Sequence, residues 1–525
     1  MEACQVFRGT HGHHLQAVRP RGQGSDARYA SQPTGGPSVR DPVLLSDPAQ
    51  SEGTTMPDRQ HGVEPPRGLS NTPRERSYDG RFGRLFQGLA KAPAHDAESA
   101  EDAAELREVA DAMREAAGDG PDNTSVPAGY VYLGQFVDHD ITFDPTSQLQ
   151  RRNDPDGLLN FRTPRFDLDS VYGSGPDDEP FQYQPGGPHA GFSLLVEDRG
   201  GPDLPRNSVG RAIVGDPRND ENGIVSQLHV AFLLLHNRLM DDLTGTVPDP
   251  RERFAAAQRS AQWHYQWVIA HDFLRRTVGP DIHADLLRTT PEPGGGMRES
   301  VRLRHYRHKV HPYLPVEFSA AAYRFGHSQV RDEYAINTSF RKRLFDPAGD
   351  DFRGFQPLRP GWHASWPFFF ELDAQPPQPS RAIDSNLAPM LATLQGATGD
   401  TADLALRNLL RGAALGLPSG QAVAAEMREE PLDDADLAPT RPGNAPLWFY
   451  ILREAQVRAG GRHLGPVGGR VVGETLLGLL RADPQSYLQL EPDWEPKLPT
   501  RTGEPRSFDM ADLLLHAVPG QAVRF

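Results

Sequence analysis

The feature that most limits the fold of this 525-residue chain is a helical spacing of apolar residues in its central region. Apolar side chains recur there at steps of three and four: Val225, Leu228, Phe232, Leu235 and Leu239 in one stretch, and Trp263, Trp267, Ala270 and Leu274 in the next. This spacing places them on one face of a helix, where they can pack against a core. Alternating patterns typical of strands are scarce and short. The sequence therefore predicts a mainly α fold with few short strands.

Composition excludes several classes of protein. Hydrophobic residues make up 37% of the chain and charged residues 24%, which is ordinary for a globular protein. The net charge of -15 argues against a nucleic-acid partner, because phosphate binding needs a concentrated basic face. Apolar runs such as 232–235 are far shorter than the roughly 20 residues that span a bilayer. We therefore expect no transmembrane segment.

The N-terminal region differs from the rest of the chain. Residues 1–75 are rich in Gly, Pro, Ser, Arg and Gln and have no periodicity, so we expect a disordered leader followed by one domain over 76–525. Met56 is a second possible translation start within this leader. No apolar segment of a secretory signal is present, and the single Cys4 fits a reducing compartment. We expect a cytoplasmic protein, with secretion by another route left open.

Residues 133–144, L-G-Q-F-V-D-H-D-I-T-F-D, place His139 between two aspartates inside an apolar stretch. Three interpretations are open: a cluster of metal ligands, an acid/base group, or a solvated turn. A neutral imidazole on a rigid helix can accept a proton from a substrate and return it. A packed core histidine is the alternative.

A second stretch offers oxygen ligands at alternate positions. Thr163, Asp167 and Asp169 supply side-chain oxygens, and carbonyl groups lie between them. Calcium requires such a set, although the glycine and terminal glutamate of an EF-hand are missing. A polar loop is the alternative, and Asp140 could complete a cation site.

Three further stretches carry groups that could act on a substrate or cofactor. In 215–222 an arginine, Arg218, could stabilise developing negative charge beside Glu221, or the segment could simply begin a helix. In 321–328 a glycine before His327 would let a flat ring approach, or the histidine could be packed in the core. Near 408–411 an amide and a guanidinium lie one helical turn apart, or form a surface pair.

The order of these motifs resembles that of the animal-type haem peroxidases, the superfamily of myeloperoxidase, lactoperoxidase and the cyclooxygenases. The similarity runs from Tyr78 to Tyr487. It includes L-G-Q-F-V-D-H-D, F-D-L-D-S-V-Y-G, G-D-P-R-N-D-E-N, H-N-R-L, H-Y-Q-W-V-I-A-H-D-F-L, A-A-Y-R-F-G-H-S, P-L-W-F-Y and L-G-P-V-G-G-R. The chain is identified as a prokaryotic member, and the resemblance implies a single large helical domain that binds haem b.

On one side of the haem the resemblance implies that His327 is the proximal ligand of the iron. Asn408 would accept a hydrogen bond from this histidine, and a neutral amide makes the ligand less anionic than a carboxylate partner would. Arg411 matches the position that pairs with a haem propionate.

On the opposite side His139 matches the distal acid/base, which takes a proton from hydrogen peroxide and returns it to the departing oxygen. Arg218 matches the distal arginine, which stabilises the separating oxyanion. Gln135 matches the residue that orders water or a halide.

Two carboxylates match the positions at which relatives attach haem through ester bonds, namely Asp138 and Glu221. Covalent attachment is therefore expected. The sulfonium link of some relatives needs a methionine, and this chain has Asn222 there. That link is not expected.

The oxygen-rich stretch matches the calcium loop of the superfamily. The resemblance implies a Ca²⁺ site with side-chain ligands Asp140, Thr163, Asp167 and Asp169, and with the carbonyl of Arg165. Asp169 replaces a serine of mammalian relatives and adds a carboxylate. The ion would fix the helix that carries the distal histidine.

The resemblance implies an enzyme of the oxidative-stress response that reduces hydrogen peroxide and oxidises a halide, a pseudohalide or a small organic donor. One alternative is a fatty-acid dioxygenase, but such enzymes need a tyrosine three residues before the proximal histidine, where this chain has Arg324. Tyr323 is one position off, roughly 100° round a helix. Another alternative is an inactive binding module, which should have lost His139, Arg218 or His327.

Overall fold

The computed structural model describes residues 81–114, 120–142, 160, 162–293, 295–308, 311–346, 349–394, 400, 402–521 and 524. The expected leader, residues 1–75, and the possible start at Met56 lie outside the described residues. Both remain predictions.

Helices are the predominant secondary structure of the described chain. In chain order they are α1 (Ala100–Ala112), α2 (Gly129–Ile141), α3 (Asp169–Tyr172), α4 (Gly223–Asp242), α5 (Pro250–Trp267), α6 (Leu274–Val278), α7 (Pro280–Leu286), α8 (Val316–Ser319), α9 (Leu404–Ala414), α10 (Gly420–Met427), α11 (Leu447–Ala459), α12 (Pro466–Ala482), α13 (Tyr487–Leu490) and α14 (Met510–Ala517). Short 3₁₀ turns at Pro217–Asp220 and Ala322–His327 carry residues of the site described below.

The strands are short and pair only in twos within the described residues. They are β1 (Arg81–Gly83), β2 (Asp122–Pro127), β3 (Glu197–Asp198), β4 (Pro202–Asp203), β5 (Leu287–Pro291), β6 (Met297–Val301), β7 (Tyr313–Pro315), β8 (Glu333–Asn337), β9 (Phe340–Arg343) and β10 (Pro379–Arg381). β1 pairs with β7 in parallel, whereas β2 with β10, β3 with β4, β5 with β6 and β8 with β9 are antiparallel. The prediction of a mainly α fold with few short strands is confirmed.

The helix predicted from the first apolar stretch is α4. Its five spaced apolar residues are all buried. The helix begins after Asn222, whose side-chain oxygen accepts hydrogen bonds from the backbone of Ile224 and Val225. A polar cap of this kind satisfies backbone N–H groups that a helix start leaves without partners.

The second apolar stretch is also buried, but it is not one uniform α-helix. It begins in α5, passes through a π-helical turn at Val268–Phe273 and ends in α6. The backbone N–H of Leu274 donates to the carbonyl of Ile269, five residues earlier, which is the wider π spacing. The apolar pattern did not reveal this turn, because the residues on either side of it are buried alike.

Helix α2 packs against α4 through aromatic side chains. The rings of Phe136 and Phe232 are stacked, with centroids 4.7 Å apart and an interplanar angle of 5°. α2 also contacts the turn Pro217–Asp220 and the turn Ala322–His327. The core therefore holds two segments that are distant in sequence, 217–242 and 322–327, against one helix. In the described part of the chain, no helix combines the length and the apolar character needed to cross a membrane.

Candidate active site

A cavity opens where α2, the two 3₁₀ turns and α9 converge. Its empty volume is about 1560 Å³, which includes solvent space at its mouth. The predicted site residues that line it are Gln135, Asp138, His139, Arg218, Glu221, His327 and Arg411. Residues from four distant parts of the sequence thus meet at one cavity, as the sequence analysis expected.

His139 lies on the cavity wall and belongs to a hydrogen-bonded chain of three side chains. Its Nδ1 lies 2.9 Å from Oδ1 of Asn219, and Nδ2 of Asn219 lies 2.9 Å from Nδ1 of His229. Because Oδ1 can only accept, Nδ1 of His139 carries a proton. Burial, and then the positive charge of Arg218, hold the pKa of His139 well below its usual value. The ring is therefore neutral, with Nε2 able to accept a proton.

Arg218 is held firmly at the edge of the cavity. Its Nε and Nη2 donate to the two carboxylate oxygens of Asp216 at 3.1 and 2.9 Å, and Nη2 also donates to the carbonyl of His139 at 3.0 Å and to that of Thr142. Nη1 lies 4.0 Å from Oδ2 of Asp138. Burial opposes the charge, but Asp216 outweighs it and the pKa of Arg218 is raised. A permanent positive charge therefore lies beside His139.

Gln135 joins Glu221 to Asn222. Its Nε2 donates to Oε2 of Glu221 at 2.9 Å, and its Oε1 accepts from Nδ2 of Asn222 at 3.1 Å. Asn222 therefore both caps α4 and fixes which way the Gln135 amide points. Burial raises the pKa of Glu221. The side chain of Asp138 is 36% exposed.

His327 lines the cavity on the 3₁₀ turn Ala322–His327. Its Nδ1 lies 2.8 Å from Nδ2 of Asn408, whose Oδ1 accepts from Nη1 of Arg324 at 2.9 Å. The pairing of His327 with Asn408 was expected, but the amide is turned the other way. Asn408 faces the histidine as a donor and not as the predicted acceptor, because Arg324 takes its oxygen.

The environment of His327 favours a neutral ring. Burial, and then the charge of Arg324, hold the pKa of His327 well below its usual value. Among the described residues, Nε2 of neither His327 nor His139 has a hydrogen-bond partner. Beside His327, a Cβ added to Gly326 would meet no atom within 4 Å, so the wall is open there. These features fit a flat ring with a metal that needs one imidazole ligand.

Three arginines from two segments line the cavity on this side: Arg324, Arg407 and Arg411. Of these three arginines, only Arg411 was expected from the sequence to bind a cofactor. Arg407 and Arg411 are one helical turn apart on α9, so a four-residue spacing of arginines was a signal that could have identified Arg407. Such a set suits the carboxylates of a bound group.

The predicted calcium ligands also come together. Carboxylate oxygens of Asp140, Asp167 and Asp169 lie within 4.8 Å of one another. Thr163 lies beside them, with Oγ1 donating to Asp167 at 3.3 Å. Nε of Arg165 points to Oδ1 of Asp483, 3.9 Å away, so only the backbone of this residue can serve the cluster.

The electrostatics of this aspartate cluster, defined as Asp140, Asp167 and Asp169, favour a cation. Burial, and then repulsion from the other two carboxylates, raise the pKa of Asp140 well above its usual value. Burial raises the pKa of Asp169 too, although Arg162 opposes this effect. A divalent cation would relieve the repulsion.

Besides Arg407, four residues around the site were not predicted from the sequence: Asn219, His229, Arg162 and Asp216. Asn219 and Asp216 flank the arginine within the G-D-P-R-N motif, which could have drawn attention to them. His229 lies in an apolar stretch of the sequence and Arg162 in a polar one, and neither stretch marks the residue as part of a site.

Comparison with known proteins identifies the family. Residues 147–434 match the animal haem peroxidase family. A peroxidase-like protein of Margaritifera margaritifera is 27% identical over 39% of this chain, and haem peroxidase 2 of Caenorhabditis elegans is 23% identical over 51% of it. The aligned parts span 26% and 39% of those proteins.

Solved structures share the fold. Peroxidase A of Dictyostelium discoideum superposes with a TM-score of 0.58 at 16% identity, over 87% of this chain and 97% of that one. A fatty acid alpha-dioxygenase of Arabidopsis thaliana superposes with a TM-score of 0.55 at 16% identity, over 87% and 83% of the two chains. By the family match over more than half of its length, the chain belongs to the animal haem peroxidase family.

Proposed function

We propose that the protein is a haem peroxidase, which binds haem b in the cavity between His139 and His327, reduces hydrogen peroxide and oxidises a small donor. The observation that supports this most directly is that two neutral histidines line one cavity, each with Nδ1 hydrogen-bonded and Nε2 without a partner among the described residues. One imidazole can bind iron while the other handles protons.

The haem would supply the two electrons that reduce hydrogen peroxide, and the donor would return them. His139 would take a proton from peroxide on Nε2 and return it to the departing oxygen. The proton on Nδ1 stays on the ring and is donated to Oδ1 of Asn219, so the ring keeps the orientation needed for both transfers. Arg218 would stabilise negative charge on the departing oxygen, because its charge is permanent and its position is set by Asp216.

His327 would ligate the iron, and Arg411, with Arg324 and Arg407, would bind the haem carboxylates. Neutral ligation requires a proton on Nδ1 of His327, so the amide of Asn408 would turn and present Oδ1 to it. Asp138 and Glu221 would form esters with the haem.

A Ca²⁺ ion in the aspartate cluster, with Thr163 and the carbonyl of Arg165, would hold the end of α2 and so the distal histidine. The donor would be a halide, a pseudohalide or a small organic molecule, with Gln135 ordering a halide or water. A prokaryotic source, a cytoplasmic location and a role in the oxidative-stress response are further parts of this proposal.

Fatty-acid dioxygenase chemistry is the weaker candidate. Arg324, and not a tyrosine, lies three residues before His327, and its Nη1 donates to Asn408. The hydroxyl of Tyr323 donates to the carbonyl of Gly134 at 3.2 Å. This tyrosine is thus committed to a backbone group.

The test is an absorption spectrum of haem-loaded protein with and without hydrogen peroxide, together with oxidation of iodide, thiocyanate and a phenol. We expect His327→Ala to lose haem and His139→Leu to keep haem but react with peroxide about 10²–10⁴-fold more slowly. His516→Leu, which changes a histidine away from the cavity, is the matched control. Equal haem binding by His327→Ala would refute the proposal. Oxygen uptake with a polyunsaturated fatty acid, without peroxide, would favour the dioxygenase.

A further inference from the structure

A continuous chain of buried ion pairs runs from the aspartate cluster to the distal arginine. Oδ1 of Asp169 lies 2.8 Å from Nη1 of Arg162, and Nη2 of Arg162 lies 2.7 Å from Oδ2 of Asp216. The same carboxylate accepts from Nε and Nη2 of Arg218 at 3.1 and 2.9 Å. Each charged group thus contacts the next, and every distance between them lies within the range of a hydrogen bond.

This chain is separated from water. The side chains of Arg162, Asp169 and Asp216 are 1%, 3% and 1% exposed, and that of Arg218 is 15% exposed. Salt screens buried pairs far less than surface pairs, so a charge added at one end is felt along the chain. Arg162 and Arg218 compete for one carboxylate, because both bind Oδ2 of Asp216.

The backbone around the chain is equally tight. A Cβ added to Gly215 would lie 2.5 Å from the carbonyl oxygen of Asp169, so the two segments touch directly. Nη2 of Arg162 also donates to the carbonyl of Gly215 at 2.9 Å. The segment that carries Arg218 therefore cannot move independently of the segment that carries Asp169.

The cluster end of the chain concentrates negative charge. Oδ2 of Asp169 is buried and accepts no hydrogen bond within the described part of the chain. Asp140 and Asp167 bring two more carboxylates to the same point. Arg162 is the positive charge that contacts Asp169 directly in the described residues, and it is shared with Asp216.

We propose that Arg162 and Asp216 are positioning residues that make the hold on Arg218 depend on cation occupancy of the aspartate cluster. This inference rests on the proposed function. With a cation bound, repulsion shifts Arg162 toward Asp216, which then holds Arg218 less tightly and lets its guanidinium face the cavity. Without the cation, Arg162 is drawn to the cluster and Asp216 binds Arg218 more strongly. The chain of ion pairs from Asp169 to Arg218 is separate from the direct backbone connection between Asp140 and its neighbour His139.

The experiment measures fluoride binding to the ferric haem protein by optical titration, with calcium and after treatment with a chelator. Fluoride is an anion that accepts a hydrogen bond, so its affinity reports how well Arg218 reaches the cavity. We expect calcium to tighten fluoride binding at least about fivefold. By linkage, saturating fluoride should tighten calcium binding by the same factor, which calorimetry measures.

Asp216→Asn should keep calcium affinity, because Asp216 is outside the cluster. The fluoride ratio, which is the fluoride affinity with calcium divided by that with chelator, should come close to one in this variant. Arg162→Gln removes the positive charge beside Asp169, so it should bind calcium at least as tightly as the wild type, and its fluoride ratio should also come close to one. Arg162→Lys keeps the charge but loses the fork that bridges two carboxylates, so its ratio should fall between those of the wild type and Arg162→Gln. Arg253→Gln, which removes a buried arginine bound to the carbonyls of Val247 and Pro248, should keep the wild-type ratio.

The proposed role of Arg162 and Asp216 is refuted if a variant at either residue still binds calcium and keeps the wild-type ratio of fluoride affinities. It is also refuted if calcium leaves fluoride binding by the wild type unchanged. Failure of the proposed function looks different. In that case the wild type would show no haem ligated through His327 or no reaction with peroxide, whatever the state of the cluster.

Discussion

Nδ1 of His139 donates its proton to the side-chain oxygen of Asn219 over 2.9 Å, which fixes the tautomer of a ring that lines the cavity. Asn219 is itself fixed, because its amide nitrogen lies 2.9 Å from Nδ1 of His229. Turning this amide over would break both hydrogen bonds unless both histidines changed tautomer.

Asn219→Leu should therefore slow the reaction with peroxide while haem binding persists. We expect kcat/KM for peroxide to fall about tenfold to a hundredfold, part of the roughly 10²–10⁴-fold that general acid–base catalysis supplies. Stopped-flow mixing with peroxide measures this rate. Asn219→Asp keeps an oxygen that accepts from His139 and should recover most of it. An unchanged rate in Asn219→Leu would show that the tautomer is set by something else.

Asn408→Asp should lower the reduction potential of the haem iron. A carboxylate can accept from both His327 and Arg324, so it would draw the proton of Nδ1 and make the ligand more anionic. We expect a fall on the order of 0.1 V, a fraction of the roughly 0.8 V range that axial ligands span. Spectroelectrochemical titration measures the potential. Asn444→Asp, in a loop outside the cavity, should leave it unchanged.

The fold was predictable where one pattern repeats along many residues. The apolar face of α4 runs the length of the helix, and its burial follows from the spacing alone. The π-helical turn at Val268–Phe273 was not predictable, because an extra residue in one turn leaves the neighbouring residues equally apolar.

The site was predictable where one motif carries several functional groups, as in 135–139 and 218–221. Contacts that depend on packing were not predictable from the sequence. Arg162 and Asp216 are 54 positions apart, and the sequence does not show whether an arginine is buried or exposed. The orientation of the Asn408 amide was not predictable for the same reason, since its oxygen accepts from Arg324, 84 positions away.

Stability should depend on pH through Glu454, which is buried and accepts hydrogen bonds from the backbone of Val467 and Gly468. Burial raises the pKa of Glu454 to about 7, from an ordinary value of 4.5. The folded state therefore holds this proton more tightly than the unfolded state. Its contribution to stability is complete below about pH 4.5 and is lost as the pH rises through about 7.

Glu454→Gln should remove this dependence. Relative to the wild type, the variant should gain up to about 3 kcal/mol in the free energy of unfolding between pH 4.5 and pH 8. Urea unfolding of both proteins across this range measures the difference. A difference that stays constant with pH would mean that Glu454 titrates normally.

Calcium should stabilise the protein through the aspartate cluster. At free calcium a hundredfold above its Kd, the gain is about 2.7 kcal/mol, so the apparent Tm should rise when calcium replaces chelator. Differential scanning calorimetry measures this rise. Asp167→Asn should reduce it, and magnesium should replace calcium poorly because it demands tighter octahedral geometry. Equal Tm values with calcium and chelator would exclude a bound ion.

Covalent attachment of haem should require at least one of the two carboxylates Asp138 and Glu221. Both carboxylates line the cavity, and a hydrogen bond from Gln135 holds that of Glu221. After peroxide treatment, acidified organic solvent should extract little haem from the wild type, and little from Asp138→Asn or Glu221→Gln, since one ester suffices. The double variant should release all of it. Because Asn222 replaces the methionine of some relatives, mass spectrometry of haem peptides should find no third bond. Full extraction from the wild type would refute the ester links while leaving haem binding by His327 intact.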